Sequence, residues 1–285
     1  EAHPHHDAKF AGEDSSAWSK RPGSEWKEVV YDLYLRMDPV LGRLRGRLPD
    51  DALLVVMSDH GFKSYRRKFS LNTWLLENGY LVLKPGKEKE LPRRSPAFAR
   101  VFIATEFGAV DWSKTRAYGV GFNGLYLNLA GREEDDPHTR DDNESGIVKS
   151  GPEAEALLSE IRAKLEGLVD EKTGDRVVLR CDVTRAIYHG ARTKDAPDLV
   201  VGYNADYDNS DPSSLGEIPN AVLEDNLGGT FNGSHLMCPD VVPGVLLTNG
   251  AVLSGPHGLE DLTVEILKQY GIPPADGMRG KPVLR

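Results

Sequence analysis

An α/β fold with a mostly parallel central sheet flanked by helices is predicted by three observations. The run Leu53-Leu54-Val55-Val56-Met57 is apolar without alternation, the pattern of a strand buried on both faces. A helical pattern over 25–47 and the turn Pro49-Asp50-Asp51 precede it, so helix, turn and buried strand follow one another as half of an α/β unit. A second apolar run, Val241 to Leu247, comes late in the chain. The 285 residues suffice for one large domain or two modest ones. With 39% hydrophobic and 28% charged residues, the chain is neither fibrous, collagenous nor wholly disordered.

The elements follow in order. Over 25–47, Trp26, Val29, Val30, Leu33, Leu41 and Leu44 recur at the spacing of a buried helical face. Pro39 ends or kinks that helix unless it opens a second one. After the first apolar strand, a helix is predicted from Leu71 to Asn78, closed by Gly79. Short strands are predicted at Tyr80 to Leu83, Ala117 to Val120 and Leu125 to Leu129. Residues 84–100 are basic and proline-rich, a surface excursion. Residues 132–146 are very polar and read as a solvated loop; a calcium-type oxygen cluster is the alternative, but the spacing does not match a 12-residue calcium loop. Pro152 opens a helix with Ala156, Leu157, Ile161, Leu165 and Leu168 on one face. Strands are predicted at Val177 to Leu179 and Leu199 to Val201, a loop over 203–220, and a last helix from Leu259 to Tyr270.

Composition narrows the function. Lys plus Arg is 35 and Asp plus Glu is 44, a net charge of −9. That balance makes a poor general nucleic-acid binder, since phosphate contacts need positive charge. It suits a protein that gathers cations at a carboxylate-lined site. No run approaches the roughly 18 apolar residues of a bilayer span. The two cysteines, Cys181 and Cys238, are too few for a disulfide framework and read as free thiols.

The sharpest chemical signal is Ser58-Asp59-His60-Gly61 at the carboxyl end of the first apolar strand, where open α/β sheets place their ligands. Asp59 and His60 offer a hard oxygen beside a borderline nitrogen, a pair that suits zinc or manganese better than calcium or magnesium. The competing reading makes Asp59 a cap and His60 a surface residue. A weaker signal is His235 in Gly233-Ser234-His235, just before the second apolar run. His3, His5, His6 and Asp7 are also metal-binding types, but an N-terminal surface loop explains them more simply.

The motifs Val55-Val56-Met57-Ser58-Asp59-His60-Gly61-Phe62, Leu71-Asn72-Thr73-Trp74-Leu75 and Glu77-Asn78-Gly79-Tyr80-Leu81 resemble the type I phosphodiesterase/nucleotide pyrophosphatase family. So do Gly124-Leu125-Tyr126-Leu127-Asn128-Leu129, Ala196-Pro197-Asp198-Leu199-Val200-Val201-Gly202, Glu224-Asp225-Asn226, Gly233-Ser234-His235, Val242-Pro243-Gly244-Val245-Leu246 and the tail Gly280-Lys281-Pro282. That family belongs to the alkaline phosphatase superfamily. The resemblance implies an alkaline-phosphatase-like sandwich divided into a metal-bearing core over 1–83, an inserted α+β subdomain over 84–214 and a return to the core over 215–285. It further implies a metal-dependent phosphoester hydrolase with two divalent ions, zinc or manganese. Asp59 and His60 match ligands of one ion and His235 a ligand of the other. A small-molecule phosphoester, a nucleotide among the candidates, is the implied substrate.

One departure is large. The family's first strand with its Asp, its Thr or Ser nucleophile and its Asp-x-x-x-His motif have no match before Ser58. The resemblance therefore implies a C-terminal part of a longer enzyme, with the nucleophile upstream of Glu1 and the missing N-terminal part as partner. Thr230 and Ser234 do not occupy the nucleophile's place. Leu236 stands where several relatives have Gly, and ligation by His235 needs only the imidazole. His189 and His257 match no motif. A sulfatase or phosphoglycerate mutase-like enzyme on the same scaffold is the alternative within the class. A noncatalytic protein that keeps a partial metal site is the alternative outside it.

Overall fold

A computed structural model describes residues 28–87, 109–133, 146–226 and 231–285. The histidine cluster at 3–7, Trp26, most of the 84–100 and 132–146 stretches, and Thr230 lie outside the described residues. In chain order the elements are helix α1 (Val29–Arg45), strands β1 (Val55–Met57) and β2 (Lys63–Phe69), and helix α2 (Leu71–Glu77). Strands β3 (Ala117–Gly119) and β4 (Gly124–Leu127), helix α3 (Pro152–Glu166), strand β5 (Val178–Val183), helix α4 (Thr184–Ile187) and strands β6 (Leu199–Tyr203) and β7 (Asp206–Asn209) follow. The chain closes with helix α5 (Asp211–Ser214), strands β8 (Leu223–Asp225), β9 (Gly233–Ser234) and β10 (Leu246–Thr248), and helix α6 (Leu259–Gln269). This is a mixed α/β fold.

The chain divides into two compact units, Glu1–Val56 with Leu246–Arg285 and Met57–Val245, each taken over its described residues. The larger unit holds two sheets. One has the order β3-β4-β6-β5, and the other runs β7-β2-β8 with β9 also paired to β2. Only β2–β7 is parallel among these pairings; β2–β8, β2–β9, β3–β4, β4–β6 and β5–β6 are antiparallel. The described strands therefore depart from the expected mostly parallel sheet. Short turns such as Gly121-Phe122-Asn123 join neighbouring strands directly, which antiparallel pairs permit and parallel ones do not.

The core of the larger unit gathers Phe69, Trp74, Leu75, Leu125, Ile161 and Tyr203, none more than 4% exposed. Helix α3 forms as predicted, with Pro152 in its first turn, Glu153 and Glu155 facing the positive end of the helix dipole, and Lys164 in the last turn. Its buried stripe is Ala154, Leu157, Leu158, Ile161 and Leu165. Leu157, Ile161 and Leu165 are buried as expected, while Ala156 is exposed and Leu168 lies past the helix end. Helix α2 also forms, and Gly79 closes it with φ at +71°, a conformation open to Gly at little cost.

Other expectations fail for identifiable reasons. Tyr80 to Leu83 makes a single bridge, Leu83 to Val110, because the amides of Tyr80 and Leu81 turn back to the Leu75 carbonyl. The stretch 203–220 is not plain loop but contains β7 and α5. Of the run Val241 to Leu247, only Leu246 and Leu247 enter a strand, and Pro239–Val241 is a 3-10 turn. Pro243 has no amide to give a ladder.

Strand β1 forms and pairs with β10, but Val55, Val56 and Met57 are 37–44% exposed rather than buried. Helix α1 runs through Pro39 and buries none of its residues. Its apolar residues stay exposed except Leu41, which is half-buried and lines a cavity with Leu54, Val56 and Leu247. At the start of helix α6 the Asp261 carboxylate acts as the cap, its Oδ2 accepting the Gly258 amide at 2.9 Å. The Glu265 carboxylate, nearly buried, accepts the amides of Val283 at 2.8 Å and Leu284 at 2.9 Å and so ties the C-terminal tail to the helix. Charge-assisted bonds contribute about 1.5–3 kcal/mol each. Glu265→Ala is therefore expected to raise amide exchange at Val283 and Leu284 by at least tenfold, with α3 unchanged; equal protection in the variant would contradict this assignment.

Candidate functional site

The loop after β1 carries Asp59 and His60, and two backbone clasps shape it. Ser58 N donates to Val245 O at 3.0 Å and Val245 N to Ser58 Oγ at 2.9 Å. Gly61 N donates to Val242 O at 2.8 Å. Both glycines of the clasp allow close approach. A Cβ on Gly61 would lie 2.6 Å from Pro243 O, and one on Gly244 would lie 2.6 Å from Ser58 O.

The second half of the site arrives through β9. It pairs antiparallel with β2, Lys63 opposite Ser234 and Ser64 opposite Gly233. This register brings His235 beside His60 from a distant part of the sequence. Their rings stack with centroids 4.1 Å apart and 10° between planes. A small satellite core of Tyr65, Met237 and Val242 lies under both segments. Asn123 Nδ2 donates to Leu236 O at 2.9 Å and holds the chain immediately after His235.

The local hydrogen bonds set the state of His60. Its Nδ1 lies 2.8 Å from Gly61 O. A carbonyl only accepts, so Nδ1 carries the proton and Nε2 of the neutral ring keeps its lone pair. Asp59 Oδ2 is 3.4 Å from that Nε2, and Asp59 Oδ1 accepts the His60 amide at 3.1 Å. Asp59 and His60 side chains are 71% and 41% exposed, open to a ligand from solvent. Burial, with Asp208 and Asp211 nearby, pushes the Tyr65 hydroxyl up to about 12, so it stays protonated at neutral pH and is no base.

The three residues singled out from sequence thus come together: Asp59 with His60 by adjacency, His235 by strand pairing. Among the described residues no group of three or more His, Cys, Asp or Glu side chains converges as a metal site. Sequence reasoning missed Tyr65, Ser234 as a buried anchor, and Phe62. The Phe62 ring stays 70% exposed beside His235 and lies where a Cβ on Gly233 would come within 2.3 Å of it. His257 turns its Nε2 to Leu253 O at 2.8 Å, a structural role. Cys181 and Cys238 are free and buried.

A carboxylate and two imidazoles gathered beside a strand pair in a mixed α/β fold have the donor types of a hydrolytic centre. Residues 3–211 match the family model of type I phosphodiesterase / nucleotide pyrophosphatase, and the chain belongs to that family. The motif resemblance is borne out over that span. Asp59 and His60 lie within it, and His235 lies beyond it. The family is one of phosphodiesterase/pyrophosphatase-type hydrolases acting on small phosphoesters. No curated protein and no solved structure matches the chain. No described helix is long and apolar enough to cross a membrane.

Proposed function

We propose that the chain contributes to a metal-dependent phosphoester hydrolase, with Asp59 and His60 as ligands of one divalent ion and His235 as a ligand of a second, zinc or manganese. The observation that carries this reading is the 3.4 Å separation of Asp59 Oδ2 and His60 Nε2. Two ligand atoms at about 2.0–2.2 Å from one tetrahedral zinc lie roughly that far apart. The donor set of one carboxylate and two imidazoles fits a borderline cation. Divalent ions in such a site supply activation of a nucleophile and stabilisation of phosphate oxygens. The chain's own residues prepare it: the Gly61 carbonyl fixes the His60 tautomer, and the clasp to 242–245 holds the loop. No residue of this chain is assigned as nucleophile. The alkaline-phosphatase-like sandwich, with core over 1–83 and 215–285 and an insertion over 84–214, belongs to the same reading. The sheet β3-β4-β6-β5 and helix α3 fall within 84–214, while β7 of the same stretch pairs with β2 and the compact units divide the chain at Val56 and Leu246.

Zinc titration by calorimetry and mass-spectrometric metal analysis test the site. The wild-type chain is expected to take up zinc at neutral pH. His60→Ala is expected to weaken uptake by more than about 100-fold, since losing even an outer partner of a ligand typically costs 10–100-fold. No uptake, or uptake indifferent to His60→Ala, would overturn the assignment. The natural protein should hydrolyse bis(p-nitrophenyl) phosphate in a chelator-sensitive way. Zinc binding with no hydrolysis would favour a second reading, a noncatalytic metal site, which the lack of a converging third ligand among the described residues also favours.

A further inference from the structure

We propose that Asn123 is a positioning residue for His235: its side-chain amide reaches from the turn between β3 and β4 to the Leu236 carbonyl and fixes the segment that sets His235 against His60. The inference deepens the reading above, and only its zinc measurement rests on that reading.

His235 follows a strand of two residues, β9, which pairs with β2 through Gly233 and Ser234 alone. That ladder ends before His235. The residues after it lie instead against β6. Cys238 N donates to Tyr203 O at 2.9 Å. A Cβ on Gly202 would come within 3.1 Å of Cys238 Cβ and 3.3 Å of its Cα, so the bare glycine lets the segment lie this close. Leu236 links that anchor to His235. Its amide donates to Ser234 Oγ at 3.0 Å, and its carbonyl accepts Asn123 Nδ2 at 2.9 Å.

Asn123 is half-buried and stands just before β4. Its side-chain NH2 carries two protons. One goes to Val201 O on β6 at 2.6 Å and the other to Leu236 O. Both partners are carbonyls, which only accept, so a turned-over amide would set its oxygen against two others. The turn itself is tied down. Asn123 O accepts the Val201 amide at 2.8 Å, Phe122 O accepts the Tyr203 hydroxyl at 3.2 Å, and Gly121 N donates to Ser214 O at 2.8 Å. The sheet β3-β4-β6-β5 therefore holds Asn123, and Asn123 holds the residue next to His235. The bond to Leu236 adds no rung to that sheet and spans 113 positions of sequence. With Leu236 held at its amide and its carbonyl, what remains for His235 is chiefly side-chain rotation, and its ring stacks on His60 at 4.1 Å.

The test needs no metal. Nuclear Overhauser contacts between the ring protons of His60 and His235 are measured in the metal-free chain. They are expected in wild type and lost in Asn123→Ala and Asn123→Asp, with the resonances of α3 and β5 in place. Asp keeps the shape of the side chain and removes both donors, so a loss in both variants belongs to the donors. Tyr203→Phe is the control. It cuts the tie to Phe122, leaves the Asn123 amide its two acceptors, and should keep the ring contacts. Where neither Asn123 variant folds, exchange of the wild-type Asn123 side-chain protons decides. Both are expected to exchange at least about tenfold more slowly than those of a free asparagine amide, and free exchange would overturn the proposal. So would ring contacts that persist in either Asn123 variant, are missing from wild type, or are lost equally in Tyr203→Phe. Zinc affinity should fall about 10–100-fold in Asn123→Ala. A wild-type chain that binds no zinc removes the metal reading and leaves the ring-contact result to decide. Unchanged zinc affinity in Asn123→Ala, with wild type binding, overturns the positioning role alone.

Discussion

Arg67→Met is expected to destabilise the Met57–Val245 unit by about 3–5 kcal/mol, the usual cost of removing one partner from a buried ion pair. Arg67 sits on β2 with its side chain only 12% exposed. Its Nε donates to Asp170 Oδ2 at 2.8 Å and its Nη2 to Asp170 Oδ1 at 3.2 Å, and Nη1 reaches Asp225 on β8. The Asp170 side chain is 2% exposed and also accepts the Tyr207 hydroxyl from β7. One guanidinium therefore joins β2, β8 and the turn after Val169, and Asp170 adds β7 through Tyr207. Without it, Asp170 is a buried charge with neutral donors only.

The pH dependence carries a definite sign. Burial alone would raise the Asp170 carboxyl, but the Lys172 amide, the Arg67 guanidinium and the Tyr207 hydroxyl outweigh it and hold it below the usual range. A folded value below the unfolded one, about 3.9, contributes stability that is present above that pH and lost as pH falls through the folded value. In Arg67→Met the burial effect wins, so the variant should regain part of its deficit when acid protonates Asp170. The gap between wild type and variant should then be wide at pH 7 and narrow near pH 4. Amide-exchange protection along β2 measures it, and a gap constant with pH would count against an electrostatic origin.

Arg67 also explains why β2 was not legible in the sequence. Lys63-Ser64-Tyr65-Arg66-Arg67-Lys68-Phe69 carries four cations in seven residues, and Tyr65, Arg67 and Phe69 alternate inward. Period-2 reading looks for apolar residues and passes over an inward arginine whose partners lie at 170 and 225. Helices α2, α3 and α6 were legible because their caps and periodicity are local. The exposure of β1 and α1 was not, since an apolar run specifies a need for cover and not its presence. In the site, Asp59 and His60 were legible as neighbours on one turn. His235 could be placed only with the order of the motifs, because a two-residue strand pairing has no period to read. Ser234 gave no signal as an anchor, for it is a buried polar residue whose hydroxyl takes the amide of Leu236, two residues on.

Gly61→Ala should weaken zinc binding by about 10–100-fold while leaving the core of the larger unit intact, the loss typical when a histidine ligand's outer partner is disturbed. A Cβ at 61 would stand 2.6 Å from Pro243 O, 3.2 Å from Val242 C and 3.3 Å from Val242 O. These are backbone atoms and cannot swing aside as a side chain would. The methyl must push residues 59–61 off the 242–243 segment, stretching the 2.8 Å bond from Gly61 N to Val242 O. The Gly61 carbonyl moves with it, and His60 Nδ1 loses the acceptor that fixes its tautomer. Gly42→Ala is the matching control. Gly42 is in the last turn of α1 with nothing within 4 Å of a new Cβ, so the change should stabilise that helix by up to about 0.5–1 kcal/mol and leave zinc alone. Calorimetry gives the affinities and the His60 side-chain nitrogen shifts give the tautomer. If Gly61→Ala keeps both wild-type affinity and the wild-type tautomer, the clasp does not prepare His60, and the loop must be held by its other ends.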